Sequence, residues 1–557
     1  MKKAFFLITL MILLLLPVAG WATTYTVGSS GCDYTSIQAV FDNEDLEPGD
    51  IIEVRADTVG ETKTYSEKVS PGANDSGSSS GYVYLQAREG DTIIIDGGGT
   101  TQCLSLYQDS YIYVKGFRLT NSSDYGLSLA RANHIIVEDL EIDNCAGDGI
   151  NSSTAAGYPV HDITIRNCTI HDNTSDGIDW STQNDEHYNW TIIGCEIYGN
   201  SRGIACGQGS GTTTSSNISI IDCNIHDNNR SGINLSNVDN THGNNTISLC
   251  HIYNNGANPS TYSTNGLHLL DCSYFSITDN VIHDNDTGNN DGVGIFLGIN
   301  TSNCEVLRNE CYNHTSNKAE APWDTGTALN SSGIGIGPES ADNNVIAYNY
   351  LHDNCVGLSI STAEATPDKG PQDNEIYNNT VVNNGIGVHS DSVESGNTLR
   401  NNIIANNTKD LGGGEANYGI WISTTTGVQD LDSDYNCVYN NGTNYSNHTE
   451  GSNTITNNPQ LDGYRLLYGS SCIDAGTTIS GFHETALDID KQPILGTPDI
   501  GCDERKALWW DGRRWHMQRM YALASTPAPP SQAGYITFTD GAGINYKDTG
   551  GITFQDL

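Results

Sequence analysis

Apolar positions in the middle of this chain fall in short runs that alternate with polar ones, and each run closes on a polar, Asn-rich turn. The unit reads ITIRNCTIHDN at 163–173, TIIGCEIYGN at 191–200 and ISIIDCNIHDN at 218–228. It returns as ISLCHIYNN at 247–255, SITDNVIHDN at 276–285 and VIAYNYLHDN at 345–354. A two-residue alternation is strand period, and no stretch carries the 3.6-residue period of a long helix. The residue before "x-I-H" gives a column: Leu140, Cys168, Cys195, Cys223, Cys250, Asn280, Asn309, Asn349, Asn379 and Asn402. Successive members are 28, 27, 28, 27, 30, 29, 40, 30 and 23 residues apart. A near-constant interval with occasional insertions marks a solenoid. The pattern predicts an all-β chain, a right-handed parallel β-helix of about ten coils.

Other columns support stacking. Asn173, Asn200, Asn228, Asn255, Asn285, Asn354 and Asn384 form one, and Asn tolerates left-handed backbone and can bond its copy one coil away. His171, Tyr198, His226, Tyr253, His283, Tyr312 and His352 form another, read as rings packing on rings rather than as a metal site. The Cys column lacks metal-ligand spacing and reads as small apolar residues in an interior ladder. Gly149, Gly177, Gly203, Gly232, Gly266, Gly294, Gly333, Gly357 and Gly385 precede new strands, where each is expected to let the chain turn tightly.

The ends of an open stack need covering. The mature chain opens with a strand, an amphipathic helix near 36–43 and a second strand, a cap with the first coils over 23–100. Strands are expected at 82–87, 92–96 and 111–119. The solenoid with its closing element fills 101–505, where Cys472 and Cys502 bracket a segment and could form a disulfide closing this end. Residues 506–557 hold a basic, aromatic segment, a Pro/Ser linker and a tail of three strand-turn units, suited to docking on a surface partner.

Charge and targeting change the picture. Lys2 and Lys3, an apolar run from Ala4 to Leu16 and small residues up to Ala22 read as a cleaved leader over 1–22. The mature chain then has no membrane span and is secreted or held at the cell surface. With 25 Lys+Arg against 67 Asp+Glu the net charge is −42. That excludes nucleic acid as a partner. It also opposes an anionic polysaccharide unless a cationic strip or Ca²⁺ intervenes. The 15 Cys are odd in number, so at least one thiol is left over.

With these motifs the chain resembles the right-handed β-helix repeat proteins of the pectate-lyase-like superfamily. The likeness covers about 25–505, on the opening "YTVGSSGCDYTSIQAV", the "IHDN…DGI" coils and the closing "CIDAGT…DIDKQPILGTPDIGCDE". It implies binding, lysis, hydrolysis or epimerisation of an extracellular polysaccharide, often with Ca²⁺. Many such proteins carry no known chemistry, and fold does not imply function.

Residues flanking each "G-I" start a strand, and neighbouring coils lie ~4.8 Å apart, so outward residues of one column can act together. Asp148, Asp176, Asp179 and Arg202 share this face, with His268 further along. Two chemistries suit them. In a lyase, Asp148, Asp176 and Asp179 would hold Ca²⁺, with Arg202 or His268 as cation or base. In a hydrolase, Asp176 and Asp179 would be the two carboxylates. The plain alternative is that "D-G-I" supplies a turn Asp. Trp180, His187, Tyr188 and Trp190 in the loop after this strand, and Trp323 in the largest insertion, are expected to wall a sugar-binding groove. A second function class, a non-catalytic adhesin or structural surface protein, is favoured by the 506–557 appendage.

Overall fold

The computed structural model describes residues 22–505, apart from 73–74, 100–101, 182–184, 208–213, 257–264, 286–291, 316–330, 338–339, 362–369, 392–395, 410–416, 423–430 and 495, together with 508–510 and 515–517. The leader expected at 1–22 thus falls almost wholly outside the described residues, as do Trp323 and most of the 506–557 segment.

Each rung carries three strands, and each strand pairs in parallel with its copy in the next rung. In one rung these are Val160–Arg166, Thr169–His171 and Ile178–Ser181, which define ladders A, B and C. Ladder B is one sheet of fourteen strands, and ladders A and C join into a sheet of 28 through the pairing of Ser215–Ile221 with Ile233–Asp239. Ladder B exceeds the ten coils of the sequence column because Thr62–Tyr65, Thr92–Asp96, Phe117–Thr120 and Cys437–Tyr439 pair in it without the motif.

Alternation places one residue in two inside the prism. Ile165, Ile192, Ile220, Ile247 and Ile277 stack in register and are fully buried. This continuous apolar column is the main source of stability, at about 25 cal/mol per Å² of apolar surface removed from water. Two turns per rung flank ladder B, and both place a residue near φ +55°, such as Asn167 and Asp172. The left-handed residue is therefore Asp172, Asp227 or Asp284, and not the Asn after it as the sequence reading had it. That Asn points inward: the Asn173 amide donates to Asn200 Oδ1 at 3.0 Å and to the Ile142 carbonyl at 3.2 Å.

The glycines of "G-I" also differ from expectation. Gly177 has no positive φ; a Cβ there would lie 2.6 Å from the Gly203 carbonyl oxygen of the next rung. Close approach of rungs, not a tight turn, requires Gly at this place. The ring column stacks as expected, with His171 and Tyr198 centroids 4.8 Å apart and nearly coplanar.

At the N-terminus Thr24–Val27 and Ile51–Val54 continue ladder A, and the helix Gln38–Asn43 lies between them. Glu67 accepts the Ile37 and Gln38 N–H groups and holds the start of that helix. At the other end the closing element runs along the flank of the late rungs. Asn378 donates to the Asp499 carbonyl, and Thr380 Oγ1 accepts the Cys502 N–H. All cysteines are free thiols; Cys472 faces Cys437, so the Cys472–Cys502 bridge is not formed. In the second unit, 506–557, Leu508–Trp510 pairs antiparallel with Trp515–Met517. No helix among the described residues is long and apolar enough to cross a membrane.

Candidate functional site

Asp148, Asp176 and Arg202 each precede the Gly of a "G-I" pair on successive rungs, so stacking places them in one column beside the start of ladder C. The Asp148 Oδ1 accepts the Asp176 N–H at 3.0 Å, and Asp176 Oδ1 accepts the Arg202 N–H at 3.0 Å. Both aspartates thus tie one rung to the next. Asp176, 2% exposed, is also gripped by the Arg202 guanidinium, through Nε at 3.0 Å and Nη2 at 2.6 Å.

Asp179 stands apart. It lies on Ile178–Ser181, in register with Asn151 below and Ala205 above. Ligand oxygens of Asp148, Asp176 and Asp179 lie within 4.8 Å of one another. Asp179 Oδ1 is buried with no hydrogen-bond partner. Burial, then the charges of Asp148 and Asp176, push the Asp179 carboxyl up to about 7, against a smaller downward pull from Arg202. Burial also raises Asp148, while the Asp176 N–H and the Asn151 amide at 2.8 Å favour its charged form. Tyr125, absent from the sequence reading, belongs to this group: burial and the charges of Asp124, Asp148 and Asp179 raise its phenol. Its place before Gly126, in the Asp148 column, was the available signal.

The structure does not assemble the remaining residues around this cluster. His268 shares the Asp179 column but follows Ala205 and Asn234, three rungs on and about 14 Å away. Its ring packs on Phe296 at 4.9 Å, and burial lowers its pKa to about 4. Trp180 and Trp190 do not wall a groove: both are 0% exposed and stack at 5.2 Å inside the prism. The alternation that turns Asp179 outward turns Trp180 inward. His187 is equally buried, bonded to Ser152 Oγ at 3.0 Å. Of these four aromatic side chains Tyr188 alone faces out, from ladder A, stacked between His161 at 4.7 Å and His242 at 4.0 Å.

Ca²⁺ takes six to eight oxygens, mostly from carboxylates and carbonyls with lone pairs to spare. Here Arg202 occupies both Asp176 oxygens and supplies the counter-charge itself. The three-aspartate set therefore fits Ca²⁺ poorly. A groove of about 390 Å³ opens instead on ladder A, lined among others by Tyr82, His134, Asp162, Thr164, Asn189 and Asn217. The sequence signal for it was a doubled polar position ahead of the alternating run, as in VHDITI at 160–165.

The family model described as the right handed beta helix region matches residues 89–218, and that of the periplasmic copper-binding protein (NosD) matches 258–436. Among the described residues of that second span, no three His, Cys, Asp or Glu side chains converge as a metal cage. Solved structures similar to the chain include pectate lyase Pel9A, at 15% identity over 87% of this chain and 97% of that one, TM-score 0.32. PfbA, a surface adhesin of Streptococcus pneumoniae, is 13% identical over 64% of this chain and 86% of that one, TM-score 0.43. The PL6 family alginate lyase AlyGC is 13% identical over 80% of this chain and 55% of that one, TM-score 0.44. No curated protein matches.

Proposed function

Because the chain belongs to the right-handed parallel β-helix proteins, we propose that it is an exported protein that binds and hydrolyses a neutral extracellular polysaccharide, with Asp179 as the proton donor. One observation carries this reading: a buried carboxyl, pushed up to about 7 and lacking a partner on Oδ1, beside two further aspartates. Glycosidic hydrolysis needs one carboxyl that keeps its proton and one that does not. Asp179 fills the first role and Asp148 the second, while Asp176 is held in place by Arg202. The oxygens are closer than the roughly 6.5–9.5 Å that lets an inverting pair hold water between them, so attack by Asp148 with retention follows.

A lyase or epimerase reading is weaker. It needs a free base beside the cluster, yet Arg202 is bound to Asp176 and His268 lies three rungs away. It also needs a counter-charge for a uronate, which a chain of net charge −42 and a poorly fitting Ca²⁺ set do not offer. A second reading, a non-catalytic surface or adhesive protein attached through 506–557, is favoured by the rung-tying bonds of Asp148 and Asp176.

Reducing-end release from a panel of neutral and uronate glycans tests these readings. Activity on a neutral glycan is expected, falling above about pH 7 as Asp179 loses its proton and unaffected by EDTA. Asp179→Asn is expected to slow it at least about 100-fold without lowering the melting temperature. Ultraviolet absorbance from an unsaturated uronate moves the assignment to a lyase, and glycan binding without any product moves it to an adhesin.

A further inference from the structure

Ladder A carries a second cluster, independent of the acidic one. Its strands Asn133–Glu138, Val160–Arg166, His187–Ile193 and Ser215–Ile221 each carry a left-handed residue near the start. His134, Asp162, Asn189 and Asn217 occupy equivalent register positions and all have φ between 52° and 58°. A left-handed residue interrupts the pleat, so two consecutive side chains face outward before alternation resumes. His161 and Asp162 therefore share the outer face, and His134 joins them from the rung below.

Three donor atoms converge there. His161 Nδ1 lies 2.7 Å from Asp162 Oδ2, and His134 Nδ1 lies 3.4 Å from the same oxygen. All three side chains are partly open to solvent, at 21%, 30% and 33% exposure. Each donor is also held from behind. Asn189 donates to Asp162 Oδ1 at 2.9 Å and accepts from Asn217 at 2.8 Å, so the carboxylate is turned with Oδ2 toward the imidazoles. Tyr111 stacks on His134 at 4.2 Å and Tyr188 on His161 at 4.7 Å, which fixes both rings. The two imidazoles meet edge to face at 84°.

We infer that His134, His161 and Asp162 form a binding site for one divalent first-row transition ion, such as Cu²⁺ or Zn²⁺. Ligands ~2.0–2.1 Å from such an ion lie roughly 3 Å from one another, close to the two separations from Asp162 Oδ2, and all three donor atoms lie within 4.8 Å of one another. Two imidazole nitrogens and one carboxylate select a transition ion over Ca²⁺ or Mg²⁺, which take oxygen. Cu²⁺ binds tightest in that series. Three protein ligands leave further positions on the side of the groove that holds Tyr82, Thr164 and Thr191, where water or an oxygen-bearing ligand completes the shell.

The test is titration of the full-length, untagged, chelator-stripped protein with Cu²⁺ or Zn²⁺ alone, by calorimetry, and by electron paramagnetic resonance for Cu²⁺. One equivalent is expected, with hyperfine structure from two imidazole nitrogens. His134→Ala with His161→Ala is expected to abolish that equivalent at unchanged circular dichroism. Asn189→Ala, which frees the Asp162 carboxylate without touching the ion, is expected to weaken binding about 10- to 100-fold. His251→Ala is the control, because His251 and His283 form another close imidazole pair at 2.7 Å, and it is expected to change nothing. Absence of a stoichiometric equivalent, survival of that equivalent in the double variant, or its loss in His251→Ala overturns the assignment.

Discussion

Two regions of this protein hold aspartates whose carboxyls are raised alike and use them in opposite ways. In the closing element, Asp488 accepts the Gln492 and Glu504 N–H groups, and Asp499 accepts those of Asp474 and Arg505. Burial pushes both carboxyls up to about 7. Asp179, in the early rungs, is raised equally, yet its Oδ1 receives no donor and its close charged neighbours include two more carboxylates. A shifted pKa therefore does not tell a structural carboxyl from a reactive one here. The donors around it do: the closing element spends its aspartates on backbone N–H groups, and the early rungs leave one exposed to whatever enters.

The strongest way to break this contrast is Arg202→Ala. It would leave Asp176 buried without its counter-ion, and a loss of about 3–5 kcal/mol is expected in urea unfolding. A loss below 1 kcal/mol would mean that Asp176 is solvated and the cluster looser than its distances imply. Next comes Asp499→Asn, whose amide presents N–H to an N–H it formerly accepted; a loss of about 2 kcal/mol is expected at pH 8. Asp179→Asn should do the reverse. Its carboxyl is pushed up to about 7, well above the ordinary aspartate range, so the folded state holds the proton more tightly. That contribution is complete below pH ~4 and disappears as pH rises through ~7. Relative to wild type, Asp179→Asn should gain stability as pH rises from 4 to 8, by at most roughly 4 kcal/mol before screening of this part-exposed group, read as melting temperature across that range. Equal signs for the two Asn variants would erase the distinction.

Much of the cluster was legible because it is a matter of period. Asp148, Asp176 and Arg202 precede Gly149, Gly177 and Gly203, and counting alone stacks them. The same counting already sets His268 three rungs from Asp179, and the same parity buries Trp180, which reading 180–190 as a loop hid. The left-handed backbone that pairs His161 with Asp162 breaks parity, so it shows only as two adjacent polar residues. The closing element has no period at all. Its seat on the flank depends on contacts such as Asn378 with Asp499, which no local pattern encodes.

The inward amides carry a consequence for how this molecule can change size. Asn173 donates to Asn200, Asn200 to Asn228, Asn228 to Asn255 and Asn255 to Asn285, and Asn354, Asn384 and Asn407 continue in the same sense. The row is a head-to-tail file of dipoles pointing one way along the axis. Removing or duplicating a whole turn leaves the file intact, whereas an insertion within ladder B would face one amide hydrogen with another. Length is thus quantised: the chain can lengthen by complete turns, or swell at the loops that enter and leave ladder C, but the spacing between the two left-handed corners beside ladder B is locked.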